Sequence, residues 1–185
     1  SPYEVPPFDV IKDSHFIPAI KLGMKEQKKE IKSIIKDVRN PDFENTILAL
    51  ENSGQIIRRT TAVLYNLSYA NTSTSLQHIM QQLAPLLSAH SDHIFMNAAL
   101  FKRVKYIWQN RKLLHLKGEK FKLLELYYKT FVRNGANLNG KEKKIVAEIN
   151  QQLSLLSLQF GKNILDTINE YKLIVTEKSN LAGLT

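Results

Sequence analysis

The stretch NGKEKKIVAEINQQLSLLSLQFGKNILDTI, residues 139–168, decides how this chain is read. Its large apolar residues include Val146, Ile149, Leu153, Leu156, Phe160, Ile164 and Ile168, at steps of 3, 4, 3, 4, 4 and 4. That spacing follows the 3.6-residue turn of an α-helix and holds through the whole stretch. Asn139-Gly140 at its head could suit a hairpin turn, but neither flank alternates with period two. Asn139 is therefore placed as the amino-terminal cap of one long helix.

The same period recurs upstream. Phe121, Leu124, Tyr128 and Phe131 form a stripe that ends at Asn134-Gly135, and Leu100, Phe101, Val104 and Trp108 form another behind a cap at Asn97. Leu76, Ile79, Met80, Leu83, Leu86 and Leu87 follow the turn TSTS at 72–75, with Pro85 predicting a kink or a fresh helix start. Asp42 caps a helix carrying Phe43, Ile47 and Leu50. Ser53-Gly54 breaks or kinks it before Ile56, Ile57, Val63, Leu64 and Leu67 resume the pattern. Phe16, Ile20, Met24, Ile31, Ile35 and Val38 mark a first helix to about Asp37, capped by Asp13 or Ser14, with Pro18 in its first turn. Only KLIVT, 172–176, reads as a strand, and it would need a partner from the lead-in or from chain outside this sequence. The expected fold is all-α, a bundle of six or seven helices. Residues 1–12 form an extended Pro-rich lead-in, 13–170 the helical domain, and 171–185 the start of a connection onward.

The 185 residues are 43% apolar and 23% charged, ordinary for a globular domain. No apolar run approaches the ~20 residues of a membrane span. The absence of cysteine excludes disulfides, thiolate metal sites and cysteine nucleophiles. The net charge of +9 is uneven: residues 101–144 carry 13 basic and 3 acidic side chains, and the rest of the chain 13 and 14. Such a segment suits nucleic acid or an acidic partner, but solvated helix faces account for it more simply. Tyr127, Tyr128 and Phe131, flanked by Lys129 and Arg133, could stack bases; their helical spacing favours core packing.

Motifs that carry chemistry are missing. No histidine is followed by glutamate, so the H-E-x-x-H pair of a helical zinc site is absent. His90, Asp92 and His93 make only a loose metal-like group. The glycines are too dispersed for a phosphate loop, and G-x-S-x-G does not occur. From the residues alone, no catalytic residue and no metal ligand is assigned.

Several phrases, taken in order, carry a family resemblance: PPFDVIKDSHFIPAI (6–20), FENTILALENSG (43–54), LYNLSYANTS (64–73), QQLAPLLSAHSDHIFMNAALFKRV (81–104), LLELYYKTFVRNGANL (123–138), INQQLSLLSLQFGKNIL (149–165) and NLAGL (180–184). They resemble the amino-terminal region of the bacterial peptidyl-dipeptidases (dipeptidyl carboxypeptidases) and oligopeptidase A, thimet-type zinc metallopeptidases. The resemblance implies a mostly helical, clamshell-like enzyme of far greater length, whose deep channel admits short peptides. Its zinc sits on an H-E-x-x-H helix in the carboxyl-terminal half, where the glutamate activates a zinc-bound water. None of those positions lies in these residues.

The expectation is therefore a non-catalytic front portion that walls part of a substrate channel, in a cytoplasmic enzyme that releases carboxyl-terminal dipeptides. The channel-lining residues stay unassigned. Ser1 and Thr185 read as cuts. No cofactor is expected in this portion, and zinc in the full-length enzyme. The expected partners are the missing catalytic part and short peptides, without nucleic acid or membrane. Helices lacking their partner would leave an apolar patch and drive self-association. The alternative is a free-standing basic helical interaction or nucleic-acid-binding module.

Overall fold

The computed structural model describes residues 5–183, and every regular element among them is helical. Residues 1–4 of the lead-in and residues 184 and 185, including the last leucine of NLAGL, lie outside the described residues. From residue 5 the lead-in turns at 8–10, where Phe8 N donates to Pro6 O (2.9 Å) and Val10 N to Pro7 O (3.1 Å).

A 3₁₀ turn at Asp13–His15 runs directly into helix α1, Phe16–Lys36. Neither Asp13 nor Ser14 caps it. His15 is already helical, and the turn closes itself through His15 N donating to Lys12 O at 2.9 Å. Helix α1 ends before Val38, which is 99% exposed. Asp37 turns extended there, and its carboxylate is held by Arg39 Nε at 3.0 Å.

Asp42 caps the next element as expected, accepting from Asn45 N at 2.7 Å. That element opens with a π-helical turn, Phe43–Leu48, and closes with the single-turn helix α2, Ala49–Glu51. The wide turn has a cause. The buried guanidinium of Arg103 donates to Thr46 Oγ1 (3.1 Å), Asn45 Oδ1 (2.9 Å) and Asp37 O (2.7 Å), tying the end of α1 and the π-helical turn to one side chain.

Ser53-Gly54 is a true break. Gly54 has φ +70°, and a Cβ there would meet the amide of Gln27. Helix α3, Gln55–Ala70, then crosses α1 closely at Gly23, where a Cβ would come within 2.7 Å of Ile57 N. Helix α4, Thr74–Phe95, starts at Ser73, whose Oγ accepts from Leu76 N at 3.1 Å. It continues through Pro85 instead of restarting there. Packing holds it on both sides of the proline, by Leu76 to Leu83 before it and Ile94 after it. Helices α5, Ala98–Asn110, α6, Gly118–Arg133, and α7, Gly140–Glu170, follow. The caps at Asn97 and Asn139 form as read from sequence.

Two apolar clusters fill the interior. One gathers Phe16, Ile20, Ile57, Leu64, Leu76, Ile79, Met80 and Leu83. The other gathers Ile31, Ile34, Ile47, Leu100, Phe101, Val104, Ile107, Leu124 and Phe131, among others. Helices α1 and α4 contribute to both and so make one body of them.

The expected strand at 172–176 is corrected. Residues 171–177 form no regular element and pair with no strand among the described residues, and Leu173 and Ile174 are exposed. A β-branched run makes an extended conformation favourable, but a strand also needs a second strand to bond.

Candidate functional site

Histidines 90 and 93 lie on α4, less than one turn apart, and the helix sends them to different surroundings. His90 is buried and His93 is exposed. His90 Nε2–H donates to Gln27 Oε1 at 2.7 Å, and Gln27 Nε2 donates to Ser53 Oγ at 3.2 Å. Ser53 Oγ–H donates to Leu50 O at 2.7 Å, and Gly54 N donates to Glu30 Oε2 at 2.7 Å. This polar knot joins α1, the Gly54 turn and α4. Burial, reinforced by the positive Lys28 and by His93, pushes the His90 imidazole down to about 4, so it is neutral near pH 7.

Asp92 is also buried. Its Oδ1 accepts from Asn150 Nδ2 on α7 at 2.8 Å, while burial raises its carboxyl pKa. His90 Nδ1 and Asp92 Oδ2 have no hydrogen-bond partner. Among the described residues no three His, Cys, Asp or Glu side chains lie together so as to hold a metal ion. With H-E-x-x-H also absent, the residues present do not fit a catalytic zinc, and no hydrolytic step can be derived from this chain.

The basic stretch 101–144 spans α5, α6 and the head of α7, and many of its charges are engaged. Arg103 is an internal strut, so the reading of solvated surface fails at that residue. Lys120 pairs with Glu44 at 2.7 Å, and Lys122 and Lys129 share Glu125 at 3.1 and 3.0 Å. Lys143 donates to Met96 O at 2.8 Å. The guanidinium of Arg111 lies 4.3 Å from the centre of the Trp108 ring. The aromatic group is core, as its helical spacing implied. Phe131 stacks on Phe101 at 5.7 Å, Tyr128 on Trp108 at 4.7 Å, and Tyr127 donates its hydroxyl to Glu51 Oε2 at 2.6 Å. Burial raises the Tyr127 phenol, and the Glu51 carboxylate beside it adds to the effect.

Sequence reading expected an unpartnered apolar patch but did not place it: it is the outward stripe of α7. An amphipathic helix ordinarily turns its apolar stripe to the core. Helix α7 packs along α4 through Lys143, Asn150 and Leu158, and none of its residues is buried. At the turn of an α-helix its apolar stripe is centred about 100° round from those contacts. Ile149, Leu153, Leu156, Phe160, Ile164 and Ile168 are 45% to 67% exposed. Where α7 meets α4 and the end of α3, a groove of about 330 Å³ is lined by Tyr69, Met80, Leu158, Leu165 and Ile168. A signal for the polar knot did exist. Gln27 interrupts the α1 stripe between Met24 and Ile31, where an apolar residue belongs. Nothing comparable marks which face of α7 is covered, because that depends on what lies opposite.

Comparison with characterised proteins gives a consistent result. The chain is 36% identical over 184 residues to dipeptidyl carboxypeptidase of Salmonella typhimurium and 35% identical over 184 residues to that of Escherichia coli. It is 23% identical over 184 residues to oligopeptidase A of Escherichia coli. Each of these alignments takes in 100% of the chain and 27% of the relative, its amino-terminal part. The chain thus spans about a quarter of the length of these relatives. No family model matches it. The resemblance read from the quoted phrases is found again along the whole chain.

Proposed function

We propose that this chain is the amino-terminal, non-catalytic helical part of a longer metallopeptidase that releases dipeptides from the carboxyl end of short peptides. The observation that carries this is the 36% identity to a dipeptidyl carboxypeptidase along the entire chain, against 23% to oligopeptidase A. Zinc and its water-activating glutamate belong, on this reading, to the part of the enzyme that this chain does not contain, and the location is cytoplasmic. No described helix is long and apolar enough to cross a membrane. The role assigned here is one wall of the channel, selecting peptides by size without touching the scissile bond. A body that holds two cores on shared helices suits a wall.

The test joins this chain to a known catalytic part. Substituted for the matching region of the Escherichia coli dipeptidyl carboxypeptidase, it is expected to support dipeptide release. The isolated chain with zinc and short peptides is expected to release none. Metal-dependent cleavage by the isolated chain, or an inactive chimaera, would overturn the proposal. A nucleic-acid module has less to rest on, because much of the basic stretch is already paired or buried. No salt-dependent binding to DNA or RNA is expected even at low ionic strength.

A further inference from the structure

We infer that the outward stripe of α7, centred on Ile149, Leu153, Leu156 and Phe160, is the seat of the remainder of the peptidase; this rests on the reading of the chain as an amino-terminal part. Helix α7 is attached to its own body through Lys143, Asn150 and Leu158, with Leu165 half-buried beside α4. Its strongest apolar face is left outward, the reverse of what a free-standing helical domain selects. Between Glu148 and Lys162 the helix carries no charged residue, although its side chains there are mostly exposed. Asparagine, glutamine and serine fill the gaps. Loss of charge around large apolar side chains, with neutral polar residues at the edge, is the composition of an interface core rather than of a solvated surface. The stripe from Ile145 to Ile168 is about 35 Å long, enough for a whole facing helix or domain edge. Beyond it the exposed Leu173 and Ile174 carry apolar surface in the same chain direction.

The occupant is the catalytic part and not a second copy. The relatives devote nearly three quarters of their length to chain beyond the matched region. A segment tethered to the end of α7 meets this face at an effective concentration that a separate molecule does not reach.

The experiment uses the same chimaera. Leu156→Glu and Phe160→Glu are placed on the stripe, and Leu113→Glu, at an exposed leucine in the α5–α6 connection, serves as control. A photoreactive residue at position 153 maps the neighbour. Each stripe variant is expected to lower dipeptide release by about tenfold or more and to make the chimaera sensitive to added protease. The same changes in the isolated chain leave its helical signal and melting temperature unaltered, since Leu156 and Phe160 are 64% and 67% exposed and belong to neither apolar cluster. Cross-links are expected to join position 153 to the catalytic part of the same polypeptide. If the chimaera is active and the stripe variants match the control, the seat is wrong while the proposed function stands. Cross-links between two copies, or equal destabilisation of the isolated chain, also overturn the seat. An inactive unsubstituted chimaera overturns the function itself.

Discussion

His90 shows what a single side chain can decide. Its ring is held neutral by burial, by Lys28 and by His93, with a folded pKa of about 4 against an ordinary value of 6.5. Unfolded chain therefore takes up a proton below pH 6.5 that the folded chain refuses until about pH 4. The stability that the neutral ring contributes is full above 6.5 and is lost as pH falls through that window. Asp92 works the other way, because burial raises its carboxyl and favours the protonated form on acidification. Comparing wild type with His90→Gln separates the two. The variant's urea-unfolding free energy is expected to decline less between pH 6.5 and pH 4, by roughly 2 kcal/mol. Equal declines would mean that the imidazole is not shielded.

At the scale of the elements, the caps are local and therefore legible. Asn139 accepts from Lys141 N and Glu142 N at 2.9 and 3.0 Å, while Glu142 Oε2 accepts from Asn139 N at 3.0 Å. Removing this capping box with Asn139→Ala is expected to cost about 1 kcal/mol and to speed amide exchange in the first turn of α7 without altering α1. Asp42 and Asn97 could be assigned from sequence for the same reason, and the TSTS turn narrowed to Ser73, whereas the cap placed at Asp13 or Ser14 gave way to a 3₁₀ turn that runs straight into α1. What escaped was set by distant chain. The π-helical turn at Phe43–Leu48 answers to Arg103, far along the sequence, and the passage of α4 through Pro85 answers to packing on either side. The α7 stripe was read correctly as helical, but the direction it faces depends on which surface lies beside it. The knot at His90 was half legible: Gln27 stood out as polar among apolar residues, but not the residues it would bond.

At the scale of the whole molecule, sharing α1 and α4 between two clusters makes local damage global. Leu124 is fully buried in the cluster lined by α5 and α6. Leu124→Ala is expected to cost about 2 to 5 kcal/mol and to leave one cooperative transition, with exchange accelerating as much in α3, in the other cluster, as in α6. Two separated transitions would show that the shared helices do not couple the halves. A last consequence concerns light. The chain has a single tryptophan, Trp108, with the Tyr128 ring at 4.7 Å and the Arg111 guanidinium at 4.3 Å from its ring. Its emission and its near-ultraviolet dichroism therefore watch one cluster alone. The face of α7 and the cluster around Leu64 do not contribute to that tryptophan signal, so a rearrangement there would pass unseen under tryptophan-selective excitation and needs a second tryptophan placed on α7.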